Sequence, residues 1–436
     1  MNLHALAQAR IDEGKGPVRV GLIGAGKFGS MFLSQVPTSP LEVVAIADLD
    51  PERAKAACRN VGWEDARIET TTFFEDGKDV CTFDDVEVVL EVTGAPAAGI
   101  EHARTAFANG NHLAMVNVEA DVLAGPQLAR EAQSAGVVYS MAYGDQPALV
   151  CEIVDWARAT GFEVVAAGKG TKYLPHYHES TPDTVWDHYG QTPEQAKKAG
   201  MNPQMFNSFI DGTKSGIEMT AIANATGLAP SPDGLSFPDV PTDELQNVLI
   251  PAEDGGLLHH KGQVEVVASI HRDGSEMPNN LRWGVYAVFE APNDYAAACF
   301  RQYGLKTDPS GRYSAMYRPY HLIGLELGIS ALSAVLRNEP TGQTRDFVSD
   351  VVSVAKRDLK EGEQLDGEGG FTVWGKAQPA QKSLQFGALP IGLAHGVSLT
   401  RDIKAGEIVR WTDVKGNEDT NAVKTRKAME QAFSGA

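Results

Sequence analysis

Short apolar runs recur along the first 150 positions, each closed by glycine or a polar residue. Val18 to Ile23 runs into a glycine cluster, Leu41 to Ala47 is closed by Asp48, and Val86 to Val92, His112 to Val118 and Gly136 to Met141 follow. Between them, residues 27–36, Glu52 to Arg59 and Gly99 to Asn109 carry helical patterns. Strands alternating with helices predict an α/β domain over roughly residues 17–150, with a doubly wound parallel sheet covered by helices on both faces.

The pattern then changes. Phe162 to Ala167 reads as a strand and leads into a loop rich in Pro, His and Tyr (KYLPHYHESTPDTVW). Residues 193–227 look helical, residues 228–256 are Pro- and Gly-rich loops, and Gln263–His271 and Arg282–Phe289 are strand-like. A long apolar helix from about Pro319 to Arg337 is expected to pack back on the first domain. The last ninety residues hold a repeat, KRDLKEGE at 356–363 and TRDIKAGE at 400–407, with Gly where a tight turn needs a positive φ. The repeat predicts a small β-rich domain with pseudo-symmetric halves and resembles the SAF (β-clip) module. The expected division is residues 1–150, an α+β substrate-binding, catalytic and dimerisation domain at 151–343, and the SAF-like β domain at 344–436.

Gly24-Ala25-Gly26-Lys27-Phe28-Gly29 follows the first strand and opens a helix. In a Rossmann turn of this kind, Gly24 makes the tight bend. Gly26 lets the backbone approach a pyrophosphate, and Gly29 packs helix on strand. Asp48 ends the second strand, where an acid binds the adenosine ribose and favours NAD; its alternative role is to cap the next helix. Arg53, five residues on, can meet the 2′-phosphate of NADP. Thr93, Gly94, Asn117 and Glu119 lie at the ends of the third and fourth strands, where ligands bind such sheets.

The middle domain offers Asn207-Ser208-Phe209-Ile210-Asp211-Gly212-Thr213-Lys214-Ser215-Gly216-Ile217-Glu218. A helix starting after Asp211 would put Asp211, Lys214 and Glu218 on one face, continued by Ala221, Ile222 and Ala225. Charges on an apolar, small-residue face point to a site. Lys169 and Lys172 follow the strand EVVAAGK and can polarise an alkoxide or hold a phosphate. Asn207, His178, Arg318 and His321 are candidate substrate contacts, the last two with Tyr320 before the apolar helix. Asp211 with Glu218 is a candidate pair for Mg²⁺ or Mn²⁺, and His176, His178 and Glu179 a weaker one.

A formal net charge of -19 argues against nucleic-acid and anionic membrane partners, while local lysines can still dominate a pocket. Cys58, Cys81, Cys151 and Cys299 are scattered, with no metal spacing, which fits reduced thiols and a cytoplasmic setting. The first residues lack a basic start with an apolar stretch, and no segment reads as a bilayer span.

The Rossmann start, the EVTG segment and the DGTKSGIE helix resemble the homoserine dehydrogenase superfamily. With the SAF-like tail, the whole chain resembles deoxyxylulose-phosphate reductoisomerase-like proteins, MFNSFIDGTKSGIEM being the most specific stretch. The resemblance implies conversion of 1-deoxy-D-xylulose 5-phosphate to 2-C-methyl-D-erythritol 4-phosphate with NADPH, commonly assisted by a divalent metal, in a homodimer. Asp48 departs from that pattern by disfavouring a 2′-phosphate. The alternatives are an NAD(P)-dependent dehydrogenase of another polyol, sugar acid or homoserine-like substrate, and a nucleotide-sensing binding protein without turnover.

Overall fold

A computed structural model describes residues 2–433. The chain forms two compact units, Met1–Glu152 with His321–Arg345, and Ile153–Tyr320 with Asp346–Ala436. Contacts thus divide it differently from the three successive segments expected.

The first unit is a six-stranded sheet of β1 (Val18–Ile23), β2 (Leu41–Ala47), β3 (Thr72–Phe74), β4 (Val88–Glu91), β5 (His112–Met115) and β6 (Tyr139–Met141), in the order β3-β2-β1-β4-β5-β6. Every pairing is parallel. The chain leaves β1 in one direction along the sheet and returns at β4, so a crevice opens at the carboxyl end of β1. Val20, Leu22, Ile46, Val88 and Leu90 are fully buried in one core.

Leu327, Ala331 and Ala334 belong to that core. They sit on or beside the helix Gly328–Arg337, which is shorter than the Pro319–Arg337 expected. The cause is local. Gly324 has φ +80°, and a Cβ there would lie 2.8 Å from the Phe28 carbonyl oxygen and 2.7 Å from the Met31 Cβ. The chain is held in a turn against the helix Lys27–Gln35 before it can become helical.

The second unit holds a mixed sheet of β7 (Glu163–Thr171), β8 (Gln263–Ala268), β9 (Val285–Glu290) and β10 (Tyr313–Arg318), ordered β10-β9-β7-β8, with only β7 and β8 parallel. The stretch expected to be helical over 193–227 is three helices, Pro193–Lys198, Pro203–Ile210 and Thr213–Thr226. The last is the axis of the unit, with every residue from Ser215 to Ala225 buried. It touches β7 and β8 as well as β11 (Ser349–Ala355) and β13 (Val373–Pro379). Gly216 makes this contact fit, since a Cβ there would lie 2.9 Å from the Gly375 carbonyl oxygen.

β11 and β13 pair antiparallel, and β12 (Gln364–Asp366), β14 (His395–Leu399) and β15 (Val414–Lys415) form a second small sheet. The two repeats meet as pseudo-symmetric partners. Leu359 and Ile403 exchange backbone hydrogen bonds at 2.8 and 3.0 Å. Lys360 pairs with Asp402, and Lys404 with Asp358, each at 2.8 Å. Among the described residues no helix is long and apolar enough to cross a membrane.

Candidate active site

The glycine loop has the geometry a dinucleotide needs. Gly24 has φ +99°, and a Cβ there would sit 3.0 Å from the Val92 carbonyl oxygen. A Cβ on Gly29 would sit 2.3 Å from the Gly24 carbonyl oxygen, so helix and strand touch through it. Nothing lies within 4 Å of a Cβ on Gly26, and no side chain caps the helix that begins there. The amides of that first turn are therefore free for a pyrophosphate, which is the fit NAD or NADP requires. Lys27 is exposed and Phe28 half-buried at the same turn.

Asp48 is buried at the end of β2. Its Oδ2 accepts from the Ala25 amide at 3.0 Å. Its Oδ1 accepts from the Asp50 amide at 3.1 Å and from the Arg53 guanidinium. Asp50, not Asp48, caps the helix Pro51–Asn60. Arg53 is mostly exposed and meets Asp48 directly, so the two cofactor-selecting candidates form one ion pair.

At the neighbouring strand ends, Thr93 donates to Glu91 Oε1 at 2.5 Å, and Asn117 Nδ2 reaches the Thr93 hydroxyl at 3.4 Å. Asn117 also caps the helix Val118–Ala135, whose first turn carries Glu119, while Gly94 is exposed beside Thr93. Glu91 was not singled out from the sequence. It is fully buried, lies 3.1 Å from His102 Nδ1, and its Oε2 has no hydrogen-bond partner among the described residues. Its position at a strand end was the available signal.

In the second unit, Lys169 on β7 forms an ion pair with Glu218 on the central helix, and both side chains are almost wholly buried. Lys214 is half-buried one turn before Glu218. The helix that carries them starts after Asp211, as expected, so Asp211 lies outside it and not on a shared face. Asp211 ends the preceding helix, and Gly212 at φ +92° turns the chain before Thr213.

Asp211 is a junction. Its Oδ1 accepts from the Thr213 amide at 2.8 Å, and its Oδ2 lies 2.8 Å from Lys356 Nζ. Its carbonyl oxygen lies 2.7 Å from His178 Nδ1. A carbonyl only accepts, so Nδ1 carries the proton and Nε2 accepts from the Tyr173 hydroxyl at 2.9 Å. Burial lowers the His178 pKa below its usual value, which favours this neutral tautomer. The ring stacks on Trp374 at 3.8 Å. Asn207 is buried close by and donates to the carbonyls of Ser180 and Gly369 at 3.0 and 2.8 Å.

Lys356 and Trp374 come from the C-terminal module, and sequence reading did not connect them to the site. The signal for Lys356 was its place at the head of the first repeat, where the second has Thr400.

The metal-pair and helix-start expectations fail for clear reasons. Asp211 and Glu218 each pair with a lysine, so they do not form the metal-binding pair expected. His178 uses both ring nitrogens, which removes it from the candidate metal set with His176 and Glu179. Among the described residues no group of three or more His, Cys, Asp or Glu is placed to hold a metal ion. Arg318 ends β10 with its guanidinium 5.2 Å from the centre of the Tyr320 ring, and His321 begins the segment that returns to the first unit. The helix they were expected to open starts only at Gly328. Lys172 donates to the His188 carbonyl.

Residues 18–143 match the oxidoreductase family with an NAD-binding Rossmann fold, and residues 144–327 match the catalytic domain of the oxidoreductase DRL. Both matches are to oxidoreductase family models, the first of them NAD-binding. Residues 337–415 match the SAF domain, as the repeat suggested. These matches favour an oxidoreductase over a binding protein without turnover. They reach the oxidoreductase class and not the reductoisomerase or homoserine specificity.

No curated protein matches the chain. Among solved structures, the chain is similar to a myo-inositol dehydrogenase from Lactobacillus casei in complex with NAD(H) and myo-inositol (18% identity, 39% of this chain, 50% of that chain, TM-score 0.30). It is also similar to a levoglucosan dehydrogenase in complex with NADH (21% identity, 36% of this chain, 43% of that chain, TM-score 0.28). A third is a 3-ketoreductase from Actinomadura kijaniata in complex with NADP and TDP-benzene (20% identity, 37% of this chain, 48% of that chain, TM-score 0.27). The chain spans half or less of the length of each, and at these scores the likeness carries no argument.

Proposed function

We propose that this oxidoreductase interconverts a hydroxyl and a carbonyl on a small acidic or phosphorylated polyol or sugar acid, with Lys169 moving the proton at the reacting oxygen. The observation that carries this reading is the buried Lys169–Glu218 pair within the stretch that matches an oxidoreductase catalytic domain. Two charges taken out of water cost several kcal/mol each, about as much as their attraction returns, so such a pair is poorly explained by stability alone. NAD or NADP, bound at the glycine loop, supplies the hydride acceptor or donor.

In the reducing direction, the Lys169 ammonium donates its proton to the oxygen as alkoxide charge develops. In the oxidising direction, the neutral amine takes that proton. Glu218 fixes the amine in place and compensates its charge. Tyr173, hydrogen-bonded to neutral His178, and Lys214 supply further polar contacts for hydroxyl groups.

The reductoisomerase reaction inferred from the sequence is a narrower case on the same residues. A dehydrogenase of another polyol or sugar acid is the reading we carry. The test is the absorbance of reduced nicotinamide, followed with each cofactor against polyols, sugar acids and sugar phosphates, including 1-deoxy-D-xylulose 5-phosphate with Mg²⁺ or Mn²⁺. Turnover with at least one acidic or phosphorylated substrate is expected. Folded protein that turns over none of them rejects the reading.

A further inference from the structure

We propose that Lys172, Arg282, His176 and His188 form an oxyanion subsite that takes a phosphate or carboxylate group of the substrate. The inference rests on the proposed function, because it assigns the acidic end of that substrate.

The backbone brings these groups together. β7 and β9 run antiparallel with Lys169 opposite Val285, and the Gly170 amide continues the ladder to the Gly284 carbonyl at 3.0 Å. The turn 281–284 then folds onto β7. A Cβ on Gly170 would lie 1.9 Å from the Leu281 carbonyl oxygen and 3.1 Å from the Arg282 amide nitrogen. Only glycine admits that approach, and it sets Arg282 beside the strand end that carries Lys172. From the other side, Lys172 Nζ holds the His188 carbonyl. The His188 ring lies 4.4 Å from the Tyr177 ring and 6.2 Å from the His176 ring, centre to centre.

The charges there are uncompensated. Among the described residues neither Lys172 nor Arg282 has a carboxylate ion-pair partner. The Arg282 guanidinium lies 4.9 Å from the centre of its neighbour's Trp283 ring, a contact that leaves its N–H fork available. Burial, then the neighbouring Arg282 charge, lowers the Lys172 pKa. Burial, then His176 and Lys172, lowers that of His188, with exposed Asp187 acting the other way. Among the described residues, none of the sequence's 57 acidic side chains stands at ion-pair distance from the lysine or the arginine. Like charges held side by side repel, and an oxyanion between them turns that repulsion into charge-assisted hydrogen bonds. A lysine point charge, a forked guanidinium and two imidazoles are the donors such a group needs.

The test uses the full chain and histidine side-chain NMR during titration with inorganic phosphate, and in parallel with acetate. Saturable shifts of His176 and His188 are expected. The anion that binds tighter assigns the substrate group as phosphate ester or carboxylate. Arg282→Ala is expected to weaken binding at least about tenfold, the loss of one charge-assisted contact, and Arg282→Lys to recover part of it. Arg59→Ala, a surface change in the other unit, serves as control and leaves affinity unchanged. No saturable shift with either anion, or wild-type affinity in Arg282→Ala, overturns the subsite. Anion binding here without turnover of any tested substrate keeps the subsite and rejects the dehydrogenase reading instead.

Discussion

Asp121 is fully buried, and its carboxylate accepts from the Tyr139 hydroxyl at 2.8 Å and from the Thr344 hydroxyl at 2.7 and 2.9 Å. Burial outweighs these bonds and raises its pKa to about 6 from 3.8. A carboxyl that holds its proton more tightly when folded stabilises the fold below its unfolded pKa and loses that contribution as pH rises through the folded value. The difference is about 3 kcal/mol between roughly pH 4 and 6. Denaturant midpoints across that range should fall with rising pH relative to Asp121→Asn, which lacks the titration; parallel profiles contradict this.

At the cofactor end, Asp48→Ala frees Arg53 and removes the ribose acceptor, so kcat/KM with NADPH relative to NADH should rise; an unchanged ratio makes Asp48 only a brace for the loop. Single residues were partly legible. Gly24, Gly26 and Gly29 follow a fixed local spacing. Lys169 and Glu218 were both named, but their pairing joins positions 49 apart and had no local sign.

Among the elements, the junction at Asp211 depends on the C-terminal module. Lys356 Nζ is buried, ion-paired with the Asp211 carboxylate at 2.8 Å, and donates to the carbonyls of Ser180 and Gly370, both at 2.7 Å. Lys356→Met leaves the Asp211 carboxylate buried and unpaired, which should cost about 3 kcal/mol in urea unfolding. Adding Asp211→Leu should recover much of that loss. Equal stability of wild type and the single variant contradicts the junction.

Elements were legible where the pattern is local. β1 and β2 fall on the expected residues because their apolar runs end at Gly24 and Asp48. The helix Val118–Ala135 was missed because Gly125 and Pro126 lie inside it. Tertiary packing overrides them, since a Cβ on Gly125 would lie 2.4 Å from the Asp121 carboxylate. β3 has three residues, too few to show a period. β10 is an edge strand of mixed burial, and its exposed Met316 and Tyr317 blur the alternation.

For the whole molecule, the alternation of strands and helices and the 44-residue repeat offset announced the first sheet and the C-terminal module. The return of His321–Arg345 to the first unit depends on contacts across the chain and could not be read locally. The net charge of -19 leaves recognition of the proposed acidic substrate to local cations. Dinucleotide at a hundred times its Kd should stabilise the protein by about 2.7 kcal/mol, seen as a concentration-dependent rise in Tm, and no rise would contradict the open glycine loop.

The central claim is proton transfer by Lys169, and the most direct measurement is single-turnover oxidation of reduced nicotinamide by wild type and Lys169→Met with the best substrate of the panel. The variant should bind cofactor normally and lose about 10² to 10⁴ in rate. A rate within a few-fold of wild type, with cofactor binding intact, would contradict the account.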